Sequence, residues 1–154
     1  MEFSVIIEDM ETITLNPQIV GQAENAHGAI MDLVLAGTGL NRDRWIALSL
    51  ITFAGGSIRS DALAARMTDA LKVTADVARD AVTWLGDSGL AAADDGQVTI
   101  TEAGRAMFGT VRGTTGPILA RAYSGVPDED LATAARVLVA ITEGLNRELA
   151  TVAG

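Results

Sequence analysis

The stretch Leu90-Ala91-Ala92-Ala93-Asp94-Asp95-Gly96-Gln97-Val98-Thr99-Ile100 decides the fold. It interrupts an otherwise helical sequence with two short extended runs around an Asp-Gly pair, the signature of a tight hairpin. Thr101 then supplies helix-cap chemistry, and Met107, Phe108, Val111, Ile118 and Leu119 mark a long helix beyond it. Gly113, Gly116 and Pro117 lie inside that helix and predict a kink or break there. The turn Val126-Pro127-Asp128-Glu129-Asp130 leads into a last helix, with its acidic residues at the positive end of the helix dipole. Leu131, Ala135, Leu138, Ile141, Leu145 and Leu149 form the apolar seam of that helix.

Upstream of the hairpin the spacing is helical throughout. From Pro17 to Leu35, Ile19, Ala23, Ala26, Ile30 and Val34 recur at three- and four-residue steps, with Val20, His27, Met31 and Leu35 beside them. So wide a stripe suits a helix packed on two sides. Gly37-Thr38-Gly39 ends it. Asn41 caps a second helix that runs to Gly55-Gly56, with Leu40 placed to staple onto Trp45. Ser60 is read as the cap of a short third helix, with Leu63, Ala64 and Met67 inward. Thr74 caps a fourth, from Ala75 to about Asp87, which Gly89 closes. The fold class is therefore mainly α with a small β-hairpin wing. Short helices followed by a hairpin form a winged helix-turn-helix. One domain over 1–154 is expected, with a reading lobe over about 41–100 and helices at about 15–40 and 101–154. The apolar seams of these outer helices should pair with a second copy in a twofold homodimer.

Composition narrows the function. The chain has 154 residues, with 11 Lys+Arg against 20 Asp+Glu for a net charge of -9, one His and no Cys. Without cysteine there is no disulfide framework and no thiolate metal site, and one His with scattered carboxylates does not make a transition-metal site. No cofactor is expected. The acidic balance argues against indiscriminate binding to nucleic acid or anionic membranes. Met1 to Asp9 is acidic where an export signal is basic, and no apolar run reaches a spanning length of roughly 20 residues. A cytoplasmic protein without a membrane partner is the expectation. The first dozen residues precede the patterned part and are read as a possible arm adding to the dimer.

Several of these segments together resemble the MarR family of winged-helix transcriptional regulators. Val98-Thr99-Ile100-Thr101-Glu102-Ala103-Gly104-Arg105-Ala106-Met107-Phe108 is similar to that family's second wing strand entering its long helix. Leu63-Ala64-Ala65-Arg66-Met67 resembles the first helix of the helix-turn-helix, and Val77 to Leu85 with Asp87-Ser88-Gly89-Leu90 the recognition helix and its exit. Pro127 to Asn146 resembles the closing dimerisation helix. The resemblance spans about 15–149 and implies a homodimer placing two recognition helices in successive major grooves of double-stranded DNA. It further implies a small apolar or aromatic ligand, held between the dimer helices and the reading lobe, that weakens DNA binding.

The wing departs from the family pattern: it is short, reads Asp94-Asp95-Gly96-Gln97, and has no Arg or Lys between Leu90 and Ile100. Residues 55–100 hold four cations and seven Asp, a net of 4 - 7 = -3. Within that lobe Arg79 is the candidate base reader, with Thr74 and Thr83 for phosphate or methyl contacts and Arg59, Arg66 and Lys72 for phosphates. The competing reading of Arg79 is a solvated helix face on which it pairs with Asp76 or Asp80.

Glu24, His27, Met31, Trp45, Leu48 and Met107 are the candidate ligand-binding set, an apolar lining with polar anchors. Against this, His27 suits a dimer-interface histidine, and Trp45, Leu48, Phe53, Met107 and Phe108 suit the core. No catalytic set emerges: there is no Cys nucleophile, one His makes no triad, and the glycines follow no phosphate-loop spacing. The alternative function is a protein of the same fold that has lost DNA binding and binds or transforms a small apolar molecule in the interhelical pocket. His27 or Glu24 would then be its acid or base.

Overall fold

The computed structural model describes residues 13–154, so the possible N-terminal arm lies outside the described residues. Six helices and three strands follow in the order α1 (Pro17–Leu35), α2 (Arg42–Phe53), β1 (Ser57–Arg59), α3 (Ser60–Leu71), α4 (Ala75–Asp87), β2 (Ala91–Asp94), β3 (Gln97–Ile100), α5 (Glu102–Tyr123) and α6 (Asp128–Ala153). The expected mainly α fold with a β wing is observed. The chain forms two compact units, the first ending at Thr115 and the second covering Gly116–Gly154.

Local chemistry explains most of the helix boundaries in the first unit. Asn41 and Thr74 cap α2 and α4 by accepting from the amides of Arg44 (2.9 Å) and Val77 (3.3 Å). The Thr101 hydroxyl oxygen accepts from the Gly104 amide at 3.0 Å and its hydroxyl donates to the Gly89 carbonyl at 2.6 Å. A single side chain thus starts α5 and ties it to the end of α4. The hairpin turns at Asp95 and Gly96, whose φ values of 50° and 77° are the two positive angles a type I′ turn needs.

The sheet is larger than the expected hairpin. β1 joins as a third strand in the order β1-β3-β2, pairing antiparallel with Ile58 opposite Val98. Three residues are too few to display the alternation that marks a strand, and only Ile58 of the three is buried. The Ser60 amide donates to the Gly96 carbonyl at 2.8 Å, so that residue belongs to the wing junction as well as to α3. Consequently α3 starts at Ser60 itself, with Arg59 at the cap position and no side-chain cap bond, which corrects the reading of Ser60 as the cap.

Leu48, Ile51, Leu63, Met67, Leu85, Val98 and Val111 are the large side chains enclosed at the centre of this unit. Full burial of such a side chain is worth about 1.5–3 kcal/mol, so α2, α3, α4 and the wing are held by one shared core. Leu40 and Trp45 are both buried in it. By contrast α1 buries only Gly28 and Leu35, and leaves Val20 and Leu33 exposed. Of its apolar stripe, Leu35 is buried and Ile19, Ile30, Met31 and Val34 are half-buried, while Val20, Ala23, Ala26 and His27 are exposed among the described residues. An ion pair anchors its C-terminal half: the Arg42 guanidinium donates from Nε and Nη2 to the two Asp32 oxygens at 3.1 and 2.9 Å.

Of the expected kink or break in α5, the break is absent: the helix runs on through Gly113, Gly116 and Pro117. The hydroxyls of Thr114 and Thr115 donate to the carbonyls of Thr110 and Val111, one turn back, a contact that tends to bend rather than break a helix. The boundary between the two compact units falls at this Gly-Pro step. In the second unit α6 buries no residue and exposes Val137, Leu138, Val139, Ile141, Leu145, Leu149 and Val152. No helix among the described residues is long and apolar enough to cross a membrane.

Candidate nucleic-acid interface

The helix-turn-helix is formed by α3, the connection Lys72-Val73-Thr74, and α4. Ala78, Ala81 and Leu85 bury one face of α4 against the core. At 3.6 residues per turn the opposite face carries Asp76, Arg79, Asp80, Thr83 and Asp87, all of them exposed. This is the surface that a recognition helix would offer to a groove. It contains one cation.

Each candidate cation except one is matched by a carboxylate close by in sequence. Arg79 forms an ion pair with Asp76, one helical turn away. Arg59 lies 3.4 Å from Asp61, and Lys72 lies 3.6 Å from Asp69 while donating to the Asp69 carbonyl at 2.7 Å. Arg66, exposed on α3, has no ion-pair partner among the described residues. Of the two sequence readings of Arg79, the structure shows the pairing with Asp76. All of these pairs are exposed, and such pairs are worth about 0–1 kcal/mol, so a phosphate or a base edge can displace them at small cost. Lys72 terminates α3 in the left-handed conformation, with φ 56°, which turns the chain between the two helices. The Thr74 oxygen is occupied by its cap bond, while the hydroxyl proton remains available to donate. Thr83 is exposed.

The candidate ligand residues separate into two groups. Leu48 is fully enclosed, Trp45 is buried, and Met31 and Met107 pack against the core at partial exposure. Glu24 and His27 are exposed on α1, where His27 Nδ1 donates to the Ala23 carbonyl at 2.7 Å. Two clefts of the first unit lie elsewhere. One of about 120 Å³ is lined by Asn41, Asp43, Arg44, Val77, Asp80 and Ala81. Another, of about 310 Å³, lies at the α1–α2 elbow beside Asp32, Leu35, Leu40 and Arg44. None of the six candidate ligand residues lines either cleft.

Aromatic contacts bring in Arg44, Trp84 and Arg112, which sequence reading missed. Trp45 stacks on Phe108 with centroids 5.2 Å apart, and Phe53 meets the edge of Phe108 at 5.7 Å. The Arg112 guanidinium sits over both phenylalanines, at 5.9 and 5.8 Å. The four-residue step from Phe108 to Arg112 on one helix was the available signal. Arg44 lies 4.3 Å from the centre of the Trp84 ring and donates to the Gly39 carbonyl at 2.8 Å, joining the α1–α2 elbow to α4. The Asp32 carboxyl is held below the usual carboxylate range by its hydrogen bonds from Arg42, with partial desolvation opposing them and the guanidinium charge adding to them. Arg42 is raised in turn, chiefly by the same hydrogen bonds. No cluster of His, Cys, Asp or Glu able to hold a metal ion occurs among the described residues.

No family model and no curated protein sequence matches the chain. Solved structures do. A MarR protein from Peptoclostridium difficile superposes with a TM-score of 0.72 at 17 % identity, covering 92 % of this chain and 95 % of its own. A MarR family transcriptional regulator from Silicibacter pomeroyi gives 0.69 at 21 % identity, over 85 % and 89 % of the two chains. The regulator CouR of Rhodococcus jostii, crystallised with p-coumaroyl-CoA bound, gives 0.68 at 16 % identity, over 80 % and 88 %. With the helix order, the three-stranded wing and the exposed α4 in place, the chain has the winged helix-turn-helix fold of the MarR transcriptional regulators.

Proposed function

We propose that this protein is a MarR-like homodimeric regulator that binds double-stranded DNA in the cytoplasm and releases it when a small apolar or aromatic ligand binds. The observation that carries this reading is the complete α3–α4 unit, whose α4 is anchored by three core residues and leaves its whole opposite face free beside the wing. Arg79 and Thr83 would meet base edges, while Arg59, Arg66, Lys72 and Thr74 would meet phosphates. Two features support the homodimer: the exposed part of the α1 stripe and the exposed apolar residues of α6. A twofold pairing would bury both and supply two reading helices for a pseudo-palindromic site. The ligand is assigned to the surroundings of Trp45 and Met107, with Glu24 and His27 as polar anchors; several proteins of this fold bind aromatic compounds, among them 2,4-dichlorophenol and salicylic acid.

The test is selection of bound duplexes from a random pool at low salt, followed by titration of the selected site against salt. Binding should weaken by a slope of roughly 0.9 in log K for each phosphate contact. The double variant Arg79→Ala, Lys72→Ala should bind markedly less. Undiminished binding by that variant would move the reading surface elsewhere. No duplex bound at any salt, together with a phenolic ligand that raises the melting temperature, would replace the regulator by the pocket-only function.

A further inference from the structure

The outward face of α4 holds an unusual composition for a helix that enters a negatively charged groove. Asp76, Asp80 and Asp87 outnumber Arg79, and the Arg79 guanidinium is already engaged by Asp76. Asp76 lies in the first turn of α4, the end from which a recognition helix contacts base edges. Both partners are exposed, with side-chain exposures of 63 % for Arg79 and 83 % for Asp76, so neither is needed by the core. The structure therefore presents a paired donor and acceptor, one turn apart, at the leading end of the reading face.

We propose that Asp76 is a specificity-determining residue of this protein, acting with Arg79 as one reading unit; the proposal rests on the regulator function given above. The chemistry follows from the edges that bases show in the major groove. A guanidinium donates to guanine N7 and O6, whereas a carboxylate can only accept. Cytosine N4 and adenine N6 are the amino groups available there, and guanine O6 and thymine O4 are acceptors that a carboxylate repels. Asp76 thus selects an amino-bearing base next to the guanine read by Arg79, and excludes a keto-bearing one. Exclusion by an unfavourable contact is as effective a source of specificity as attraction.

The experiment uses the full chain and the duplexes it selects. Fluorescence anisotropy would compare the best site with versions in which single base pairs of each half-site are exchanged. Wild type should discriminate about tenfold or more at the pair next to the Arg79 guanine, the usual yield of one good base contact. Asp76→Asn keeps the shape of the side chain, removes a negative charge and adds a donor. It should bring discrimination at that pair below about threefold while overall affinity stays level or rises. Asp87→Asn makes the same charge change about 16 Å further along α4 and serves as the control. It should raise affinity without altering the preference. Equal discrimination in wild type and Asp76→Asn, or identical behaviour of the two Asn variants, would overturn the proposal and leave DNA binding intact. A wild-type chain that selects no duplex would overturn both the proposal and the regulator function beneath it.

Discussion

Replacing Gly104 by alanine tests the joint on which the wing depends. A Cβ at this position would lie 2.1 Å from the Leu90 carbonyl oxygen and 2.7 Å from Ile100 Cγ1, where ordinary contact begins near 3.4 Å. The helix and the wing would have to separate by more than 1 Å (3.4 - 2.1 = 1.3 Å). Neither side is free to give. The Leu90 carbonyl accepts from the Thr101 amide at 3.1 Å, the Ile100 amide donates to the Gly56 carbonyl at 2.8 Å, and the Gly104 amide is bound to the Thr101 hydroxyl. Overpacking costs about 1–3 kcal/mol, and one or two weakened hydrogen bonds add about 0.5–1.5 kcal/mol each. The better helix propensity of alanine returns about 1 kcal/mol. The net loss is about 0.5–5 kcal/mol, which for a chain of this size lowers the melting temperature by roughly 1–20 °C. Thermal melting followed by circular dichroism, at one fixed protein concentration, reads it directly. Gly109→Ala is the matched control. It lies in the same helix with open space around the new Cβ, and should raise stability by up to about 1 kcal/mol. A Gly104→Ala chain that melts at or above the wild-type temperature would refute the close packing of α5 on the wing.

Three further outcomes follow from particular residues. Leu48→Ala should lose about 2–5 kcal/mol, because that side chain is fully enclosed; the exposed Glu24→Ala should stay within about 0.5 kcal/mol, and denaturant titration separates the two. Lys72→Gly removes a left-handed lysine and should be neutral or up to about 1 kcal/mol more stable, yet bind the selected duplex less tightly; a loss of both stability and affinity would contradict this. Because Asp32 titrates below its ordinary 3.8, its pairing with Arg42 stabilises the chain fully above that value and ceases to do so as the pH falls through the lowered one. Asp32→Asn should therefore be less stable than wild type at pH 7, with the gap closing as the pH drops below 3.8; a constant gap across acid melts would argue against the pair.

The sequence made legible those features whose chemistry is local. Asn41, Thr74 and Thr101 act as caps because their side chains reach amides only three residues on, and Asp95-Gly96 forms the wing turn because two adjacent residues need positive φ. Features built from distant segments left little trace. β1 is defined by partners about forty residues away, with Ser57 and Thr99 hydroxyls 3.0 Å apart, and its own three residues carry no period. The contact of Arg44 with Trp84 joins two helices separated by a third. For the site, the sequence correctly offered pairing with Asp76 as one state of Arg79, since one helical turn separates them. It did not distinguish Glu24 and His27, on an exposed helix, from Leu48, inside the core, because all fall on apolar-patterned helices.

The net charge of -9 has a different meaning once the pairs are located. Summed charge describes the field at a distance, which at physiological salt decays within about 8 Å. At contact the geometry of each cation decides. In this lobe Arg59, Lys72 and Arg79 are held by carboxylates within the same or adjoining turn, all at the surface. Such pairs are weak in water, so they do not lock the cations away, but they leave carboxylates standing beside any phosphate that takes their place. Unmatched DNA would then gain little at Arg59, Lys72 and Arg79, where a new phosphate contact would be opposed by the Asp already there. A matched site can turn one of those carboxylates into an acceptor for a base amino group. If the protein is the regulator proposed above, the acidic face would cost it non-specific affinity while sharpening the difference between a correct sequence and every other one.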